Sequence, residues 1–478
     1  MGKTRKDKVK ISFIGQSANK VTGSSYLIEY KDEKTLVDVG FVQHRNKLTQ
    51  WQMNNENFKY KVKEIDNIIL THFGHLDHNG GLARLYANGC KAKIFATKGA
   101  TEYLRIAFED NLKIMQKDAD YLSNTNGKKY KPSYTHEDVD RMLNSIIEVE
   151  LNSKVLLGEY LTLRMTSAYH VASSAQVELF VVDEMANYRK KIYFSGDLGN
   201  FQIDKVFLEP FKPVENFDIG IVETTYAMNI KPANQKIRDK DREKLATIIR
   251  ETCMENKGKV LIGAFAFSRA QELLYELFRL YGEDESFTIP IIVDSPLTHK
   301  ITDIFDKLIP DKDQDLWYNI MSWKNITFTK DWEDSETSRR SKEPTISISA
   351  SGFMDAGRIR IWLQELLPNP NNRIVFVGYS DEGSLASEIK EGKKKTINID
   401  GIEVKNKAKT TVLNSFTSHI QHKDMLKLYS SFNCSSLYLV HGEKERQYPF
   451  AQLLEDECRK KNKTTKIFVP LVDDVIEF

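Results

Sequence analysis

The segment LTHFGHLDHNGG, residues 70–81, places His72, His75, Asp77 and His78 within seven positions. Neutral imidazoles and carboxylates are the donors that borderline cations such as zinc prefer. Four of them this close repel or compete unless a cation holds them, so a metal site is expected here. Further candidates stand where β-rich runs end: Asp38 (KTLVDVG), His170 (TSAYHVASSA), Asp197 (YFSGDLG), Glu223 (IGIVETTY), His419 (NSFTSHIQH) and His441 (YLVHGEKE). Loops on a sheet edge commonly carry binding and catalytic groups. Taken singly, each of these reads first as a hydrogen-bonded turn residue.

Closely spaced strand-like runs (VKISFIG, SSYLIEY, KTLVDVG, IDNIILTH, AKIFAT) fill the first ~95 residues and lead to a sheet-rich α/β sandwich. TEYLRIAFEDNLKIMQKDADYL reads as a helix, followed by a polar loop, and Thr135 with Asp138 has capping-box spacing for a second helix. Strands return at LTLRMTSAYH, VELFVVDE and KKIYFSGD. Beyond residue 226 the pattern becomes parallel α/β. KVLIGAFAF, IPIIVDS, TISISASG and RIVFVGYS are apolar strands each followed by a helical stretch, the first capped by Ser268 with Gln271 three residues on. We therefore read a first domain, 1–225 and 401–478, interrupted by an inserted α/β domain, 226–400.

The 478 residues exceed one ordinary core. No apolar run approaches the roughly 18–20 residues of a membrane span. The basic N-terminus MGKTRKDKVK is followed by ISFIG, too short for a secretory signal, and Arg5-Lys6 do not fit a myristoylation motif. Cys90, Cys253, Cys434 and Cys458 form no CxxC pair, as in a reduced cytoplasmic protein. Net charge is only +2, so no global field announces a nucleic-acid partner; the local runs at Lys3–Lys10 and Lys390–Thr396 read first as solvated faces.

In chain order, Asp38, the His72–His78 cluster, His170 and Asp197 resemble the four motifs of the metallo-β-lactamase fold. Glu223, His419 and His441 then resemble motifs A, B and C of its β-CASP branch, a family of nucleic-acid-cleaving enzymes. GAFAFSRAQELL, IIVDSPLT, ISASGFMDAGRI and VGYSDEGSLA look like segments of the inserted β-CASP domain, and ATKGATEYL with YTHEDV resembles bacterial and archaeal RNA-processing members. The resemblance implies an αββα sandwich with an inserted β-CASP α/β domain and two zinc ions per chain. His72, His75 and His170 would hold one, Asp77, His78 and His441 the other, and Asp197 would bridge them. A water shared by two such cations has its pKa brought to about 7 and attacks phosphorus in line. Asp77 would also orient that nucleophile. His419 would be the general acid, kept protonated by Glu223. Asp38 would orient the ligand loop.

Histidine at the position of His441 goes with RNA-processing members of the family, so RNA is favoured over DNA as substrate. Family members that cut exonucleolytically from the 5′ end commonly carry an additional C-terminal domain. The short stretch after His441 favours endonuclease action, with exonuclease trimming left open. Ser351, Gly352 and Arg358, in a glycine-containing strand-to-helix turn, suit approach of a phosphate to backbone N–H groups, although a plain tight turn fits equally. Arg358 and Arg269 read either as RNA contacts or as partners of carboxylates. Gln421 replaces an aspartate frequent in motif B, and Ser173 a common glycine; His422 is expected on a helix surface. Two other readings stay in play, a non-catalytic RNA-binding paralogue and a DNA nuclease. Monomer and homodimer are both open.

One spacing departs from the family. Its motif reads H-x-H-x-D-H, and here Phe73 and Gly74 separate the first two histidines. On a strand one extra residue turns His72 away from His75. We expect a bulge at Gly74, with positive φ, to restore the common face.

Overall fold

The computed structural model describes residues 7–229, 233–378 and 384–478. The start of the N-terminal basic run (Lys3, Lys6) and the centre of VGYSDEGSLA, 379–383, lie outside them. The chain forms two compact units: Met1–Phe201 with Leu208–Lys231 and His419–Phe478, and Gln202–Phe207 with Pro232–Ser418. The second unit reaches past residue 400 because Lys409–Leu413 is the sixth strand of its sheet.

The first unit contains two seven-stranded sheets. Ile11, Phe13, Ile28, Val37 and Ile69 of one and Leu163, Met165, Val177, Phe194 and Ile221 of the other share one core cluster. Side chains alternate along a strand, so Leu36, Ile68 and Ile94 point to the opposite face, yet each is 0% exposed. That face needs a helical cover, supplied by helices such as Ala100–Asn126, with Leu104 and Phe108 fully buried. On the second sheet, Tyr193, Leu437 and Leu439 pack with Met425, Tyr429, Phe450 and Leu454 of helices His422–Tyr429 and Lys444–Lys460. Helix, sheet, sheet and helix are thus stacked as expected. Each large apolar side chain buried this way contributes about 1.5–3 kcal/mol.

Strand direction explains why the candidate residues meet. Tyr188–Phe194, Ile219–Glu223 and Ser436–Val440 are parallel neighbours, so Asp197, Glu223 and His441 leave the sheet at the same edge. Leu161–Ser167 runs the same way through two antiparallel pairings and delivers His170. In the other sheet Glu33–Val39 and Asn67–Ile69 are parallel, bringing Asp38 and the 70–78 loop together.

The second unit holds a six-stranded sheet in the order Ile326–Phe328, Ile291–Val293, Ile346–Ser349, Val260–Gly263, Arg373–Val377, Lys409–Leu413. Every neighbouring pair is parallel. A hairpin, Thr396–Ile399 with Ile402–Lys405, packs Ile397, Ile399 and Val404 into the same core as Trp362 and Leu363.

Local expectations fare unevenly. Thr135 and Asp138 form the reciprocal capping box. The helix expected to stop at Leu122 continues to Asn126 and ends on Gly127 at φ 63°. Ser268 precedes its helix without capping it: at φ 65° its side chain makes no cap bond, and Gln271 instead donates to the Ala266 carbonyl and Thr302. The four cysteines are free, and no helix among the described residues is long and apolar enough to cross a membrane.

Candidate metal centre

The strand Asn67–Ile69 ends before the histidines, so strand alternation does not govern them. This corrects the bulge expectation: Gly74 is not among the residues with positive φ. The extra residue is taken up in an irregular loop. Phe73 turns into the core, 1% exposed, with its ring centroid 5.2 Å from that of Tyr103. Asn79 Nδ2 donates to the Phe73 carbonyl at 2.7 Å, and Tyr103 Oη donates to the Gly74 carbonyl at 2.9 Å. With the loop pinned this way, His72 Nε2 and His75 Nδ1 lie 3.0 Å apart.

Besides Asp197 with Glu223 and His419, which also lie close enough together to hold an ion, two groups of donors form among the described residues. His72, His75, His170 and Asp197 make one, and Asp77, His78 and His441 the other, each with one ligand atom per residue within 4.8 Å of the rest. Asp197 lies between them, with Oδ1 3.4 Å from His78 Nε2 and 3.3 Å from His441 Nδ1, and Oδ2 3.7 Å from His170 Nε2. These donors fit cations. His78 Nε2, both ring nitrogens of His170 and Asp197 Oδ1 are buried without a hydrogen-bond partner. An unpaired buried polar atom costs about 1–3 kcal/mol, and a metal ion removes that cost. Burial lowers the pKa of His72 and His170 well below 6.5, toward the neutral imidazole that ligates. For His78 the lowering by burial is outweighed by Asp197 and then Asp38, so the net shift is upward; the ring itself is oriented by the contact of Nδ1 with Asp38.

Asp38 explains that orientation. It is 1% exposed at φ 57° and accepts from Thr71 N and Thr71 Oγ1, both at 2.8 Å, and from His78 Nδ1 at 2.7 Å. A carboxylate only accepts, so His78 Nδ1 carries hydrogen and Nε2 faces the donor group. Tyr169, Ser173 and His441 also have positive φ. Such conformations cost about 1–3 kcal/mol and persist where the surroundings enforce them. Ser173 therefore stands where glycine would be easier, consistent with the family's glycine there. Backbones also approach closely: a Cβ on Gly40 would sit 1.7 Å from the Asp77 carbonyl, and one on Gly199 1.6 Å from the Tyr169 carbonyl.

Beside the donors, His419 Nδ1 lies 3.1 Å from Glu223 Oε1, and its ring centroid is 4.5 Å from that of His170. Burial lowers the His419 pKa, but Glu223, then Asp197 and Asp77, outweigh it and the net shift is upward. Glu223 is held by Leu198 N at 2.8 Å and Thr225 N at 3.0 Å. Gln421, where an aspartate is frequent in motif B, is buried and donates to the His419 carbonyl at 2.9 Å. His422 is half-buried, not on the surface: it accepts from Met228 N at 3.1 Å and packs on Phe450.

The sequence reading missed Thr225, whose hydroxyl is 3.0 Å from His441 Nδ1, and Tyr429, which donates to the Glu223 carbonyl at 2.8 Å. Thr225 could have been suspected from its place two residues after Glu223; nothing local marks Tyr429. Ser351, Gly352 and Arg358 belong to the second unit. There Arg358 Nη1 pairs with Asp294 Oδ1 at 2.7 Å, and Arg269 pairs with Glu272 at 2.5 Å.

Three family models match the chain: Metallo-beta-lactamase superfamily over residues 18–118, Beta-Casp domain over 270–389, and Zn-dependent metallo-hydrolase RNA specificity domain over 403–470. Ribonuclease TTHA0252 of Thermus thermophilus is 30% identical over 92% of this chain and 94% of its own. The RNase J-like protein of Methanocaldococcus jannaschii is 26% identical over 86% of this chain and 89% of its own. A solved structure of a protein of unknown function from Enterococcus faecalis V583 shares the fold, with TM-score 0.54 and 8% identity, over 98% of this chain and all of its own. Seven donors in two groups sharing one aspartate, together with these matches, place the chain in the metallo-β-lactamase superfamily, in the branch that carries a Beta-Casp domain.

Proposed function

We propose that this protein is a zinc-dependent ribonuclease of RNA processing or decay, cutting phosphodiester bonds endo- or exonucleolytically. It takes the domain division read from the sequence, 1–225 with 401–478 around 226–400, with the second compact unit extended to Ser418. The observation that carries the reading is the acid–carboxylate pair His419–Glu223 beside two donor groups with Asp197 within 3.4 Å of His78 and 3.3 Å of His441. A binding-only paralogue has no use for that pair.

His72, His75 and His170 would hold one zinc, Asp77, His78 and His441 a second, with Asp197 common to both. Two zinc ions, when bound, supply Lewis acidity at phosphoryl oxygens and bring a water to a pKa near 7. The chain's own residues do the rest. Asp38 keeps the His78 proton on Nδ1, and Thr225 steadies the His441 ring. Asp77 carries a negative charge for orienting a nucleophile, since His441, His78 and His75 outweigh burial and hold its pKa low. Glu223 holds the proton of His419 Nδ1, leaving Nε2 to deliver a proton to the departing oxygen. Such positioned proton transfer is worth about 10²- to 10⁴-fold.

The test is incubation of purified protein with end-labelled RNA and a matched DNA. Preferential cleavage of RNA supports the reading. Cleavage of DNA alone makes it a DNA nuclease, and binding of RNA without cleavage makes it a non-catalytic paralogue.

A further inference from the structure

The carboxyl edge of the second unit's parallel sheet carries aromatic side chains that packing leaves uncovered. Ligands of open parallel sheets bind at this edge, where the loops leave the strands. After the strand Val260–Gly263 comes Phe265, 40% exposed, whereas Phe267 is buried. After Ile346–Ser349 come Ser351, Gly352 and Phe353. The Phe265 ring meets Phe353 edge-on with centroids 5.1 Å apart. It also lies so near Gly352 that a Cβ there would be 2.9 Å from it. Any larger residue at 352 would displace the ring. Ser351 Oγ, in the same loop, is buried and has no hydrogen-bond partner.

A second aromatic group borders the other end of this loop. Trp332 follows the strand Ile326–Phe328, is 52% exposed, and has the Arg358 guanidinium carbon 5.7 Å from its ring. Arg358 is fixed by Asp294 at 2.7 Å and Thr329 at 3.0 Å, and Asp294 is itself fully buried. The strands preceding Phe265 and Trp332 lie three places apart in the sheet, about 14 Å. That distance suits a few nucleotides of extended chain better than one small molecule.

Resting on the reading that RNA is the substrate, we propose that Phe265, backed by Phe353, and Trp332 are stacking platforms for bases of single-stranded RNA. Every base has a π face, so aromatic side chains beside fixed cations grip a single strand without demanding a sequence.

The test is fluorescence anisotropy of a dye-labelled oligoribonucleotide with the full chain, chelator being present so that the strand stays whole. Phe265→Leu keeps apolar bulk and loses the π face; Phe265→Tyr keeps both. Phe265→Leu and Trp332→Ala are each expected to weaken binding about 5- to 100-fold, and Phe265→Tyr to restore it. Scanning abasic sites along the strand should find a position that costs wild type this factor and costs Phe265→Leu nothing. Binding by Phe265→Leu and Trp332→Ala equal to wild type, or abasic losses identical in all proteins, overturns the proposal. If wild type cuts RNA while the variants are unaltered, this proposal fails alone. If wild type neither binds nor cuts RNA, the functional reading fails with it.

Discussion

Replacing Asp38 with asparagine changes one atom type and should reverse the orientation of a metal ligand. The Asp38 carboxylate accepts from Thr71 N, Thr71 Oγ1 and His78 Nδ1. An asparagine oxygen in the Oδ1 place keeps the Thr71 N bond, and the NH₂ then takes the Oδ2 place, facing both Thr71 Oγ1, which can turn to accept, and His78 Nδ1. Two donors cannot meet there, so the imidazole must carry its hydrogen on Nε2, the atom turned toward the donor group. Loss of such a ligand-orienting partner costs about 10- to 100-fold in metal affinity, or about 1.4–2.7 kcal/mol. The metal-free fold should lose about 1–3 kcal/mol for one compromised buried bond. Competition with a chromogenic zinc chelator measures the first quantity and urea unfolding of the chelated protein the second. If zinc affinity is unchanged while stability falls, Asp38 is a turn residue and the argument from tautomer is wrong.

Other outcomes follow from the same geometry. His419→Ala should lower turnover about 10²- to 10⁴-fold without changing metal content; loss of a metal ion instead would make His419 a ligand. Glu223→Gln removes the carboxylate that raises the His419 pKa, and a general acid works only while protonated. The limb of the pH–rate profile that falls as pH rises should therefore move to lower pH, and an unmoved limb would refute the pairing. Lys205 is lowered to about 7, first by burial and then by Arg269 and Arg238, against the opposing pull of Glu272. Its unfolded form holds the proton up to about pH 10.4, so folded-state stability is depressed below pH 7 and recovers between 7 and 10. Lys205→Met should accordingly stabilise the protein in urea melts at pH 6 and lose that advantage by pH 10. Gly199→Ala should destabilise the fold and weaken metal binding, since its Cβ would strike the Tyr169 carbonyl next to His170.

Much of the donor set could be read from residue type and position alone. Asp38, His170, Asp197, Glu223 and His441 lie at or just after strand ends that pairing gathers on shared edges, whereas His419 follows no strand of its own sheet and is placed by an isolated bridge to Gly199. What failed was conformational detail that depends on partners far along the chain. The fit of Phe73 and Gly74 is decided by Tyr103 and Asn79, so a rule for strands could not anticipate it. The role of Gln421 is not legible from its replacing an aspartate, because its side chain acts on the His419 backbone carbonyl. Ser268 has the right type and spacing for a cap, yet its backbone conformation at φ 65° removes the bond.

The central claim is metal-dependent cleavage of RNA. Purified protein should bind zinc at two ions per chain by elemental analysis, cut end-labelled RNA, lose that activity to a chelator and regain it when zinc is returned. Cleavage that persists after both ions are removed, or two bound ions with no cleavage of RNA, would contradict it.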